Sequence, residues 1–299
     1  MPEATFPSRQ GIFRRMFAAM RLPTGDSFAV AGLLIYLVFV LTAIFAPVLA
    51  PFDPTEILYT ADYELAADLL PGQEGHVLGT TSLGRDIFSQ IIFGARSALL
   101  VGLTAAFMVA CIGTIVGLMS GYFGGWVDTV LMRLADVAFG IPFLPFVIVI
   151  SAFLEPSIWN TVIAMALVLW RDTARVIRSQ VLTLRSRGYV EAARVSGSSD
   201  FAIITRHIAP NIVPLSLLYG SIAIGWAILT EASISFLGFG DPNSISWGFM
   251  LQDAFASQAL SRQAYHWFIP PGLAIILVVS AGFFISRGYE NLLFPKLGR

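Results

Sequence analysis

Five long apolar runs decide what this chain can become. They cover residues 28–49, 98–119, 130–154, 212–230 and 268–285. A helix of about twenty residues rises about 30 Å, the thickness of a bilayer hydrocarbon core. Inside that core every backbone N–H and C=O has to be satisfied by the protein itself, which a helix does locally. Only 12% of the residues are charged and 56% are hydrophobic, whereas soluble domains carry about 25% charged residues. One water-soluble core cannot bury so much apolar surface, so the sequence predicts an all-α, multi-span membrane protein.

Charge placement predicts how many times it crosses. A sixth apolar run, 157–170, is short for a span, and seven arginines (171, 175, 178, 185, 187, 194 and 206) follow it. Four more arginines precede the first span. Short loops rich in arginine stay in the cytoplasm. Six spans put the arginine loop and both termini on that side, whereas five would put the loop outside. We therefore expect six transmembrane helices, the fourth continuing past Trp170 as a polar extension. The N-terminal charges resemble a signal peptide, but the run behind them has the length of a span, so residue 28 opens a retained helix.

This gives a cytoplasmic segment 1–27, a first transmembrane helix 28–49, an extracytoplasmic segment 50–93 and a core 94–299 with five further spans. The core includes a cytoplasmic loop 171–211 and an extracytoplasmic loop 238–267. Segment 50–93 carries seven acidic residues against Arg85, and its prolines and glycines suggest a small irregular subdomain. Apolar residues at helical spacing over 87–94 predict a helix lying on the outer membrane surface before span 2, or else a simple extension of that span. The stretch FGDPNSISWG is turn chemistry.

Residues 189–210, YVEAARVSGSSDFAIITRHIAP, form a polar island between apolar runs. Gly188 is expected to interrupt the preceding helix. Residues 189–196 suit two helical turns stopped by a left-handed Gly197. Ser198 or Ser199 can cap the next turn, where Asp200 sits favourably. Pro210 marks the entry to span 5. A solvated positive loop is the plain alternative.

Ionisable residues and prolines inside spans are candidates for a transport pathway. Arg133 and Asp136, three apart, can pair with each other. Glu231 lies at the outer end of span 5, five residues beyond Trp226, facing an outer vestibule or a partner, or simply hydrated. Pro142 and Pro145 break span 3 and free carbonyls, beside a cavity or against neighbouring helices. The lone Cys111 and the scattered His76, His207 and His266 suggest no metal cluster. There is no GxxxxGK[ST] phosphate loop, Ser-His-Asp set or HExxH motif, so no catalysis is expected of this chain. SGYFGGW reads as a tight turn, and a net charge of −1 gives no reason to expect nucleic acid.

The ordered pattern of Glu191-Ala192-Ala193, three residues, Gly197 and a later Pro210 resembles the signature of membrane subunits of binding-protein-dependent ABC importers. HVLGTTSLGRDIFSQIIFGARSALLVG, GYFGGWVD, RHIAPN and EASISFLGFG with SWGFML are similar to blocks of the dipeptide/oligopeptide branch, in its C-type permease. The resemblance implies the type I ABC importer permease fold with six helices. It implies ATPase coupling through Glu191, Ala192, Ala193, Gly197 and Pro210, with Arg194 offering a charge beside Glu191. The residues within spans expected near the pathway are Asp136, Pro142, Trp226 and Glu231. The resemblance also implies a B-type permease partner, two ABC ATPase subunits holding ATP and Mg, and an extracytoplasmic solute-binding protein. Di- or oligopeptides are the expected cargo, with nickel chelates or oligosaccharides as the alternative. An ion-driven secondary carrier is the alternative from another class.

Overall fold

The computed structural model describes residues 23–293; residues 1–22 of the expected N-terminal segment and the last six residues lie outside that range. Among the described residues the regular structure is helical, with two isolated β-bridges. α1 is Ser27–Ile44 and α2 the short Ala46–Leu49. α3 (Ile87–Phe123), α4 (Gly125–Gly140), α5 (Phe143–Phe153) and α6 (Ile158–Arg185) follow. α7 is Gly188–Val195 and α8 Asp200–Ile203. A π turn, Ile204–Ile208, leads into α9 (Ala209–Phe236). α10 is Trp247–Ala256 and α11 Tyr265–Leu293.

Among the described residues, four helical stretches are long and apolar enough to cross a bilayer: α1, α3, α8 to α9 taken together, and α11. α4 and α5 make a fifth as a pair, bent by 85°. The bend falls where Ile141 and Pro142 interrupt the helix. Pro142 cannot continue α4, but its fixed φ suits the cap position of α5. The expected turn at SGYFGGW is present, made by Gly124 and Gly125 at φ 65° and 55°.

Side chains cap the starts of five helices. Asp26 accepts from the backbone N–H groups of Phe28 and Ala29 at 2.8 and 3.2 Å, and Asn291 near the end of α11 donates to the same carboxylate. Asp86 caps α3 through Ser89 N–H at 2.7 Å. Ser157, Ser199 and Ser246 cap α6, α8 and α10. Each such cap satisfies donors the helix leaves open.

Small residues bring the long helices together, as is usual where lipid supplies no hydrophobic drive between helices. Gly113, Gly117 and Gly121 recur every four residues on α3, one stripe along a helix face. A methyl on Gly113 would meet Thr173 Cβ at 2.6 Å, one on Gly117 the Ala174 carbonyl at 2.7 Å, and one on Gly121 Val181 Cβ at 2.7 Å. The α3–α6 contact is the most extensive in the fold. Gly32 and Gly282 do the same for α1, α9 and α11, against the carbonyls of Ala281 and Ser221.

The helix expected on the outer membrane surface is absent. α3 is continuous over 37 residues, about 55 Å. Nothing breaks it: Asp86 caps its start, and no proline follows before residue 123. Of the apolar residues that suggested a membrane-facing surface, Ile87, Ile92 and Gly94 are buried against protein and Phe88 and Ile91 are half-buried. Gly94 lies against the Trp247 ring, whose Nε1–H donates to the Ile91 carbonyl at 3.0 Å. α10, which supplies Trp247, was invisible in the turn-rich loop 238–267.

Residues 50–86 fold without long elements around a buried His76–Asp86 contact of 2.8 Å, with the Phe52 ring 4.4 Å from the imidazole. Arg262, from the loop after α10, pairs with Asp68 and donates to Ser82 Oγ at 3.0 Å. Segments 50–86 and 238–264 therefore share one end of the molecule. The arginine-rich island occupies the other.

Candidate functional site

At that other end, α7 projects from the bundle as a short exposed helix. The preceding helix stops at Ser186 and Arg187, and Gly188 opens α7 instead of breaking its predecessor. Val190 is fully buried and anchors the helix, while Ala193 packs partly on the same cluster with Tyr122, Ile177 and Ile203. Glu191, Ala192 and Arg194 are exposed. Gly197, at φ +77°, ends the helix. Ser198 N–H reaches the Ala193 carbonyl at 3.1 Å and Gly197 N–H that of Arg194 at 3.0 Å. This paired closure needs the left-handed residue that glycine adopts without penalty.

Two apolar side chains missed by sequence reasoning flank these residues. Val195 is 89% and Phe201 77% exposed. Val195 follows Arg194 at the end of α7, and Phe201 lies in the first turn of α8. Pro210 is elsewhere: it is buried, just inside α9. Its missing N–H is accommodated by the π turn, where Ala209 N–H bonds back to Ile204, and Asn211 Nδ2 donates to the His207 carbonyl at 2.7 Å. π turns absorb such irregularities within otherwise continuous helices.

The helix ends around α7 are tied together by polar contacts. Tyr122 Oη donates to Asp200 at 2.6 Å, and Arg185 donates to the Tyr122 carbonyl at 2.8 Å. Arg178 grips Asp128 with two nitrogens, and Ser120 donates to the same carboxylate. A fork-to-fork arginine–carboxylate contact is geometrically specific as well as attractive. These contacts join α8 to α3, α3 to α6, and α6 to α4.

The four pathway residues are not brought together. Asp136 pairs with Arg133 at 3.6 Å as expected, but more closely with Arg175 of α6, at 2.5 Å. Pro142 sits at the α4–α5 break, next to Phe143, which lines a cavity of about 500 Å³. Trp226 lines the same cavity from α9, together with Tyr219, and α6 contributes Arg171 and Asp172. Arg171 donates to Ala138, a carbonyl freed by the break. Glu231 lies apart, 7% exposed, accepting from Ser235 Oγ at 2.6 Å. It is a buried group, hydrogen-bonded also to Ser246 ahead of α10.

Comparison with known proteins agrees with this architecture. Residues 113–299 match the family described as binding-protein-dependent transport system inner membrane component. Residues 26–71 match the N-terminal TM domain of oligopeptide transport permease C. The chain is 37% identical over 270 residues to the glutathione transport system permease protein GsiD of Pectobacterium atrosepticum, covering 90% of this chain and 87% of that one. It is 35% identical to the oligopeptide transport system permease protein OppC of Bacillus subtilis (91% and 87% covered) and 36% identical to the dipeptide transport system permease protein DppC of Haemophilus influenzae (90% of each). The chain therefore belongs to the binding-protein-dependent transport system inner membrane component family, as a non-catalytic, multi-pass permease subunit of an ABC importer.

Proposed function

We propose that this permease carries short peptides and takes its power stroke through α7. The observation that carries the reading is the exposed face of α7, Glu191, Ala192, Arg194 and Val195, on a helix anchored by buried Val190. In this reading Glu191, Ala192, Ala193, Arg194 and Gly197 form the element that docks on a cytoplasmic ATPase, and buried Pro210 fixes the hinge behind it. Two ATPase subunits hold ATP and Mg. A B-type permease supplies the other half of the pathway, and an extracytoplasmic binding protein delivers cargo. The names of the peptide and glutathione relatives support the cargo class.

Six spans follow if α6 crosses as well. Its 28 residues span about 42 Å, and it runs beside α3 throughout the glycine stripe. Both termini and α7 are then cytoplasmic, and segment 50–86 faces outward with the loop that supplies Arg262. Nucleotide closes the ATPases, α7 moves with them, and the packed pair α3–α6 carries the movement to the cavity near Pro142 and Trp226. Asp136 steadies that pair through Arg175. Such switching requires two states that nucleotide and loaded binding protein favour differently.

The test replaces Glu191 with Lys and, separately, Gly197 with Leu, and measures ATPase co-purification and cargo-stimulated hydrolysis. Loss of either activity with preserved membrane insertion supports the reading. Wild-type assembly and hydrolysis in both variants refute it.

A further inference from the structure

Resting on the peptide-permease reading, we propose that the cavity between α3, α5, α6 and α9 binds the free C-terminal carboxylate of a short peptide in transit, and that Arg171 is the group that holds it. The cavity, about 500 Å³, falls within the usual range of small-ligand sites. Val109, Phe143, Tyr219 and Trp226 give it apolar and aromatic walls. Against them stand two adjacent charges, Arg171 and Asp172.

The other arginines of α6 are satisfied. Arg175 holds Asp136, Arg178 holds Asp128, and Arg185 holds the Tyr122 carbonyl. Arg171 is different. Its side chain is only 13% exposed, and one nitrogen donates to Ala138. Its Nε is buried with no hydrogen-bond partner among the described residues. The Asp172 oxygen nearest to it is 3.6 Å away, beyond hydrogen-bond reach, on a side chain 56% exposed. The guanidinium is meanwhile fixed in place over the Phe139 ring, 4.5 Å from its centre.

A held, largely enclosed guanidinium whose Nε–H is unpartnered, beside an apolar cavity, suits a planar anion with two oxygens. A peptide carboxylate fits that description and leaves the peptide side chains to the aromatic walls. Asp172 is then a competitor: it restrains Arg171 weakly until a carboxylate with better geometry displaces it. This gives the two neighbours opposite expected effects.

The experiment uses the assembled complex of both permeases and both ATPases, without binding protein, and two probes. One is a pool of di- and tripeptides of Gly, Ala and Phe; the other is the same pool amidated at the C-terminus. Retention is measured by equilibrium dialysis and mass spectrometry. The free-acid pool should be retained at least about tenfold better than the amides, the scale of a lost charged hydrogen bond. Arg171→Gln should erase that preference, Arg171→Lys should reduce it, and Asp172→Asn should keep or strengthen it. Equal retention of both pools, no retention by the wild type, or an Asp172→Asn loss matching Arg171→Gln would overturn the proposal. A complex that assembles and hydrolyses ATP but retains no peptide rejects this site alone; failure to assemble with ATPases rejects the underlying reading. Melting temperatures of the variants separate lost binding from lost folding.

Discussion

Gly117→Ala is a one-carbon test of how the bundle is held together. An ideal Cβ at this position stands 2.7 Å from both the Ala174 carbonyl oxygen and Ile177 Cβ. Carbon atoms prefer about 3.5–4.0 Å, so α3 and α6 have to part by about 1 Å. Overpacking of this size costs about 1–3 kcal/mol. Against it stands the better helix propensity of alanine, about 1 kcal/mol. The net expectation is a loss of roughly 0–2 kcal/mol. Gly220 on α9 is the control. Its Cβ would lie 3.7 Å from Ala110 Cβ, an ordinary contact, so Gly220→Ala keeps the propensity gain of up to about 1 kcal/mol. The same chemical change should therefore move the two proteins in opposite directions. Thermal unfolding of the purified complex in detergent reads the order: Gly220→Ala at or above wild type, Gly117→Ala below it, and Gly117→Val lower still. Because α6 carries α7, cargo-stimulated ATP hydrolysis should fall with Gly117→Val. Gly117→Ala melting at or above Gly220→Ala would show that the glycine stripe is not the close contact argued here.

Two further expectations concern the two ends. Burial pushes the Asp253 carboxyl of α10 above its ordinary value, with the Arg85 charge opposing in part. A raised folded value means that the group favours folding when protonated and opposes it as pH rises through that value. Asp253→Asn should accordingly raise the melting temperature at pH 7, with the gain vanishing as pH falls to about 4, near the ordinary aspartate value; a gain independent of pH contradicts the burial argument. For topology, Cys111→Ser removes the one cysteine. Single cysteines at Tyr63 and Val195, both largely exposed, should then label from opposite sides with an impermeant maleimide in intact cells, Tyr63 from outside. Labelling of both from outside indicates five spans instead of six.

The sequence was most legible where one physical rule acted alone. Run length located α1, α3, α9 and α11, and turn chemistry placed Gly197 and the Gly124–Gly125 reversal. Ser199 was legible as a cap because few residue types offer an oxygen to a helix N-terminus. Failures came where packing partners decide. The run 87–94 is amphipathic whether its apolar face meets lipid or Trp247, so periodicity could not tell a surface helix from an extended span. Asp136 has a neighbour three residues away and a closer one, Arg175, that only tertiary structure supplies. Val195 and Phe201 look like core residues until the fold leaves them outside. The Gly113, Gly117 and Gly121 spacing, by contrast, was a signal present in the sequence that could have located the α3 contact face.

Docking of an ATPase on α7, as proposed, can be trapped directly. A photo-crosslinking benzophenone side chain placed at Val195, with Tyr63 as the control position, tests it in the assembled complex. Val195 should give a permease–ATPase adduct whose yield changes with nucleotide, and Tyr63 none. No ATPase adduct from Val195 in a complex that assembles and hydrolyses ATP, or an adduct from Tyr63, contradicts it.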